Sequence, residues 1–271
     1  MEKGAQQVTL SEIERIMGVV GKKKAACETH GEYQSMRFRR EGQEDRWSDC
    51  PACADERRAE QEEVERREAQ EAARKRRQEA IMKMAAIPPK FEDSSLSGYH
   101  VEPGRDLQAL ALRICREYAE RFDQIRGFNL YMAGSVGTGK THLATAIANH
   151  VMQHHGASVQ YLKALSMFRR LKATFNPRSQ ETEDEVIRAL AGLDLLILDE
   201  IGLGYDSDTE AIHLAEVIDE RYLNLRPTIM IGNQRSPQEV KDAIGERVYD
   251  RMMERGKVLL LNWDSYRQNQ D

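Results

Sequence analysis

No apolar run in these 271 residues reaches the roughly 18 needed to cross a bilayer, which excludes a membrane-spanning helix. The opening residues, Met-Glu-Lys-Gly-Ala-Gln-Gln, lack the apolar stretch of a secretory signal, so a cytoplasmic protein is expected. An excess of positive charge is missing too. With 40 Lys and Arg against 45 Asp and Glu the net charge is −5, so nucleic acid can be met only through a local patch. Cysteines number four. Cys115 sits in an amphipathic pattern and reads as an ordinary buried thiol, which leaves Cys27, Cys50 and Cys53 to explain. In a reducing compartment the explanation is metal before disulfide. Glycine and proline are absent from 54 to 87, so nothing there interrupts a helix.

What is present is organised around Gly134-Ser135-Val136-Gly137-Thr138-Gly139-Lys140-Thr141, which satisfies G-x-x-x-x-G-K-[ST] and follows an apolar run at 128–132. Strand, phosphate loop and helix come in the right order. The glycines let successive backbone N–H groups point at phosphate oxygens. Lys140 is expected to reach the β and γ phosphates of ATP, and the Thr141 hydroxyl to hold Mg²⁺. The helix expected at 142–155 directs its positive N-terminal end at the same anion.

A helical pattern at 106–125 is followed by five strand candidates, at 128–132, 158–162, 193–198, 228–232 and 258–261, alternating with helices. Alternation of that kind predicts an α/β fold with a five-stranded parallel sheet covered on both faces. The third strand delivers Asp199 and Glu200 to the carboxyl edge of the sheet, the edge where ligands bind in such folds. Asp199 is expected to complete the Mg²⁺ site through water, and Glu200 to orient or deprotonate the attacking water. Asn233, ending the fourth strand, either senses the γ-phosphate or is a simple turn residue. Arg247 and Arg251 share one helical face. They form a salt-bridged surface or present an arginine to a neighbouring subunit's ATP, which can be worth ~10³ to 10⁵ in rate.

Ahead of this core, Ser11 with Glu14 has the form of a capping box, and the stripe Ile13, Ile16, Met17 and Val20 predicts a short amphipathic helix. It packs on the next element or docks on a partner. Cys27 with His30 and Cys50 with Cys53 are two pairs, each separated by two residues, the spacing that lets four side chains surround a tetrahedral Zn²⁺. Residues 31–49 are too polar to make a core, so a structural metal is expected to fold them. Arg37, Arg39, Arg40 and Arg46 with Tyr33, Phe38 and Trp47 either touch nucleic acid or form the charged surface of a zinc ribbon. From 54 to 86 the composition turns to Ala, Glu and Arg. Glu62–Arg66, Glu63–Arg67 and Glu71–Lys75 are spaced to support a solvated helical spacer, which Ile87-Pro88-Pro89 ends. The expected divisions are 1–53, a zinc-binding module; 54–89, a charged helical linker; and 90–271, the nucleotide-binding domain.

Three C-terminal motifs carry a resemblance. Asp199-Glu200-Ile201-Gly202, Gly245-Glu246-Arg247-Val248-Tyr249-Asp250-Arg251 and Asn262-Trp263-Asp264-Ser265-Tyr266-Arg267 resemble those of DnaC-type replicative helicase loaders, initiator-clade AAA+ ATPases, over residues 87–271. The metal-like N-terminus departs from the DnaC pattern and resembles the DnaI-type loaders, whose N-terminal domain also holds a metal. The resemblance implies a P-loop core with Lys140 and Thr141 as Walker A, Asp199 and Glu200 as Walker B, Asn233 as sensor 1, Arg251 as arginine finger and Arg267 as sensor 2. It also implies a hexameric DnaB-type helicase as partner, gripped by the N-terminal module, with single-stranded DNA engaged by the core and self-association through the ATP site. A helix at 166–175 would line a DNA channel with basic residues and an aromatic; the alternative is an amphipathic helix that packs Phe168 and Leu171. Ten residues follow the last strand candidate, so no helical lid is expected. Closure then falls to Arg267 and a neighbour, with weak hydrolysis in isolation.

The leading expectation is an ATP-dependent loader of the replicative helicase onto single-stranded DNA. An IstB-type ATPase helper of transposition competes with it. So does a zinc-dependent adaptor that binds nucleotide without turnover, against which Glu200 argues.

Overall fold

The structure, a computed structural model, describes residues 18–39, 43–202 and 208–266. The chain divides by contact into two compact units, Met1–Arg74 and Lys75–Asp271.

In the first unit β1 (Val19–Cys27), β2 (Gly31–Phe38) and β3 (Arg46–Trp47) form an antiparallel sheet in that order. Cys27 pairs with Gly31, so Glu28, Thr29 and His30 make the hairpin turn. Val20, expected on a helix, lies in β1 instead: Val19 and Val20 are β-branched, and Val19 pairs with Phe38 across the hairpin. The rest of that predicted helix, with Ile13, Ile16 and Met17, lies outside the described residues, as does Arg40. Among the described residues of this unit only Ser35 and Cys50 are buried, too little apolar burial to hold a fold by itself.

The 34-residue helix α1 (Pro51–Met84) begins three residues earlier than the composition alone suggested. Pro51 supplies the helical φ at its first position, where a missing N–H costs nothing, and Cys53 is thereby set in the first turn. The ion pairs formed near its start are Arg57–Asp49 and Arg58–Asp55, not the Glu62, Glu63 and Glu71 pairs that spacing favoured. Fully solvated side chains gain little from pairing. A short 3₁₀ turn follows at Pro89–Phe91.

The second unit continues with α2 (Asp106–Glu120), β4 (Asn129–Gly134), α3 (Lys140–His155), β5 (Val159–Lys163), α4 (Ala164–Ala173), α5 (Glu183–Gly192), β6 (Leu195–Ile201), α6 (Asp208–Leu223), β7 (Thr228–Gly232), α7 (Pro237–Ile244), α8 (Glu246–Glu254) and β8 (Gly256–Leu261). The helix expected through 125 stops at Glu120 and tightens into a 3₁₀ turn at Phe122–Gln124. The five strands form one parallel sheet in the order β5-β6-β7-β4-β8.

Successive residues of β4 feed opposite layers, as a sheet buried on both faces requires. Leu130 and Met132 pack with α2 and α3, while Tyr131 and Ala133 pack with α4 to α8. Between β6 and β7 the buried Arg221 donates to the carbonyls of Leu190, Leu193 and Pro227 and to Thr228 Oγ1. Burial pushes its pKa down to about 9, yet it remains a cation at neutral pH and its donors saturate otherwise orphaned carbonyls. Among the described residues no helix is long and apolar enough to cross a membrane.

Candidate functional site

A cleft of about 490 Å³ opens at the carboxyl ends of β4, β6 and β7, and Lys140, Thr141, Asp199, Glu200 and Asn233 all line it. The strand order explains the convergence. Since β7 runs between β4 and β6, the exposed Asn233 at its end falls between the phosphate loop and the two acids.

The loop is drawn tight. Lys140 Nζ, nearly buried, donates to the carbonyls of Gly134 and Ser135 at 2.8 and 2.6 Å, and Thr138 Oγ1 donates to Ser135 O at 2.9 Å. Two glycines are obligatory for close approach. Gly137 has φ +85°, and a Cβ there would lie 1.9 Å from Ser265 Oγ; Gly139 has φ +89°, with the Tyr99 ring 2.5 Å from the same position. Tyr99 OH and Trp263 Nε1 both donate to Thr138 O, at 3.0 and 3.1 Å, and Tyr266 N donates to Gly137 O at 3.0 Å. Asp264 is held by Arg105 at 2.8 Å, and the guanidinium keeps its carboxyl below the usual range. The C-terminal segment therefore lies directly on the phosphate loop. Its Arg267 is outside the described residues.

Asp199 is 7% exposed and carries three hydrogen bonds. Thr141 Oγ1 and Tyr161 OH donate to its Oδ2 at 3.0 and 2.5 Å, and Glu200 N donates to Oδ1 at 2.7 Å. Beyond Leu198 the register of β6 shifts, and Glu200 takes a left-handed φ of +61°. A bulge of this kind re-aims a side chain that strand alternation would turn away. The Glu200 carboxylate accepts from Lys163 Nζ at 2.8 Å. Tyr161, Lys163 and Tyr99 carry no sequence pattern that marks them: an aromatic in a strand reads as core and a lysine at a strand end as solvated.

The residues fit a magnesium nucleotide. A buried ammonium, loop positions that any Cβ would fill, and a hydroxyl 3.0 Å from a carboxylate make an anion cradle beside a hard-oxygen cation site. Arg251 and Arg247 do not line the cleft. On α8 both pair with Asp219 of α6, and the Arg251 guanidinium lies 4.6 Å over the Tyr222 ring. On α4, Met167, Phe168 and Leu171 are buried, Arg170 pairs with Glu181, and Arg169 and Lys172 are exposed, as is Phe175 in the turn that follows. The packing alternative thus accounts for Phe168 and Leu171, while a basic, aromatic edge remains outside.

In the N-terminal unit, ligand atoms of Cys27, His30, Cys50 and Cys53 all lie within 4.8 Å of one another. His30 Nδ1 is 3.8 Å from the Cys27 and Cys50 sulfurs and 3.3 Å from Cys53, and the Cys27 and Cys53 sulfurs are 3.5 Å apart. Two sulfurs bound tetrahedrally to zinc at about 2.3 Å would be roughly 3.8 Å apart, so the donor set fits Zn²⁺. Glu56 Oε1 meets His30 Nε2 at 3.0 Å, the outer partner that fixes a ligating imidazole. Backbone N–H groups of His30 and Thr29 lower the Cys27 thiol to about 6, and the adjacent Cys27 sulfur raises Cys53 to about 11. On the sheet, Lys23 Nζ and Arg37 Cζ sit 4.4 and 5.7 Å from the half-exposed Trp47 ring.

Comparison with known proteins bears on the whole arrangement. A family model described as IstB-like ATP binding protein matches residues 51–271. The chain is 35% identical over 180 residues to the replicative helicase loader DnaC of Buchnera aphidicola subsp. Schizaphis graminum, covering 66% of this chain and 71% of that protein. A crystal structure of the DnaC helicase loader superposes with a TM-score of 0.57 at 26% identity, covering 64% of this chain and 99% of that one. A crystal structure of DnaI gives 0.55 at 20% identity, covering 68% and 98%, a likeness of fold alone.

Because Gly137 leaves no room beside Ser265, Gly137→Ala is expected to lift residues 263–266 off the loop. In a Trp47→Phe background, Trp263 emission should shift to longer wavelength, whereas Gly192→Ala, where a Cβ meets nothing within 4 Å and the backbone is not left-handed, should leave it in place. Unchanged emission in Gly137→Ala would show that the segment does not rest on the loop.

Proposed function

The chain belongs to the IstB-like ATP-binding protein family, and from that premise we propose that it is an ATP-dependent loader of a replicative helicase onto single-stranded DNA, acting in the cytoplasm. The observation that carries this reading is the 35% identity, over 71% of its length, to a replicative helicase loader. On this reading residues 1–53 are a zinc-folded module that grips the hexameric DnaB-type helicase, 54–89 a solvated helical linker, and 90–271 the ATPase domain.

The roles follow from the cleft. Lys140 exchanges its bonds to Gly134 and Ser135 for phosphate oxygens, a trade of neutral acceptors for anionic ones. Thr141 and Asp199 hold Mg²⁺, which supplies charge neutralisation at the transferring phosphoryl group. Glu200 orients or deprotonates water only once it is released from Lys163, so the contact seen is a resting one. Asn233 reads the γ-phosphate, and Arg267 closes over it. Arg251 completes a neighbouring subunit's site, which makes turnover weak in an isolated chain and couples ATP to self-association. The exposed basic edge of α4 tracks the single strand. A second reading, an ATPase helper of transposition, is favoured by the IstB description of the matching family. Retention of purified helicase and not transposase in a pull-down would decide between them.

Two outcomes test the proposal. Lys140→Ala should keep the fold, lose ATP binding and fail to load helicase on single-stranded DNA; loading at the wild-type level would contradict the ATP switch. Metal analysis of the wild type should find about one zinc per chain, the number one tetrahedral site holds. Cys50→Ser should lose both the zinc and helicase binding, and a zinc-free wild type would remove the metal from this account.

A further inference from the structure

Tyr161 is engaged at both ends. β5 is the edge strand of the sheet, so half of its backbone groups have no strand to pair with. Tyr161 N–H instead donates to Ala85 O at 2.8 Å. Ala85 continues α1 by one hydrogen bond, from its N–H to Ile81 O at 3.0 Å, and is completely buried in the layer built on α2 and α3. Ala86 next takes a left-handed φ of +51°, so the chain turns sharply at this point. At its other end, the Tyr161 phenol makes its 2.5 Å bond to Asp199 Oδ2, the oxygen that also accepts from Thr141. The two aromatic and carboxylate groups meet because Tyr161 pairs with Ile197, whose side chain shares a face with Asp199 two residues on.

We infer that Tyr161 is a positioning residue: its phenol fixes the Asp199 carboxylate for a divalent cation, and its backbone ties that carboxylate to the end of α1. The inference rests on the magnesium-nucleotide reading of the cleft. A tyrosine needed only for the core would be served by its ring, and its hydroxyl could be lost without consequence for the metal. Here the hydroxyl donates to the same Asp199 oxygen that accepts from Thr141, so that oxygen is held from the edge strand as well as from α3. Outer donors to a metal-binding carboxylate set its orientation, and their loss commonly costs 10- to 100-fold in metal affinity. Through Ala85, a change in the seating of α1 reaches the cation site within one residue.

The test uses the full chain and a fluorescent ATP analogue. Tyr161→Phe keeps the ring and removes only the hydroxyl. The Mg²⁺ concentration that half-maximally strengthens nucleotide binding should rise about 10-fold, with Mg²⁺-free binding and the thermal midpoint close to wild type. Hydrogen exchange on the wild type gives a second readout: Mg²⁺ with nucleotide should slow exchange at the Tyr161 amide, and should fail to do so in Tyr161→Phe. A Mg²⁺ titration of Tyr161→Phe that overlays the wild type overturns the inference alone. A wild type whose nucleotide binding ignores Mg²⁺ overturns both the inference and the reading it rests on.

Discussion

Three hydrogen bonds on the two oxygens of Asp199 set the geometry of everything around the cleft. Where they form, β6 shifts its register against β7 between Leu198 and Ile201, and the left-handed Glu200 costs about 1–3 kcal/mol. The bond from Glu200 N to Asp199 Oδ1 offsets part of that cost by satisfying an amide that leaves the ladder. The same bulge turns Glu200 toward Lys163, while Oδ2 reaches Thr141 on the first turn of α3 and Tyr161 on the edge strand. The first turn of α3, the Glu200 backbone and the edge strand therefore meet at one carboxylate.

A second point of convergence is the Thr138 carbonyl, which accepts from both Tyr99 and Trp263. It joins a segment N-terminal to the sheet, the loop and the residues after β8. The N-terminal unit is held differently. Among its described residues only Ser35 and Cys50 are buried, and the ligand atoms of Cys27, His30, Cys50 and Cys53 lie close enough together to share one tetrahedral ion.

The parallel sheet and the cleft were largely legible because each depends on local chemistry. Short apolar runs buried on both faces announce strands, and the eight-residue phosphate loop needs its glycines at fixed positions. Asp199 and Glu200 were visible as acids at a strand end, but the bulge was not, since no side chain at Glu200 marks a left-handed backbone. Tyr161 and Lys163 were hidden for a related reason. Their partners are 38 and 37 residues away along the chain, and nothing in the residues of β5 records which strand lies beside it. The small sheet was missed because the charged run Lys22-Lys23-Lys24 masks strand alternation, while the start of α1 could have been found from Pro51.

The central claim is that this ATP site is one half of a joint, finished by Arg251 of a neighbour. The pairing of Arg251 with Asp219 and its stacking on Tyr222 keep it ordered on α8, away from its own cleft. The most direct measurement is ATP turnover, with single-stranded DNA present, of Lys140→Ala and Arg251→Ala proteins alone and mixed. Each alone should be near background, and the mixture should regain turnover, because an intact loop on one subunit meets an intact arginine on the next. A mixture as silent as its components would contradict the claim.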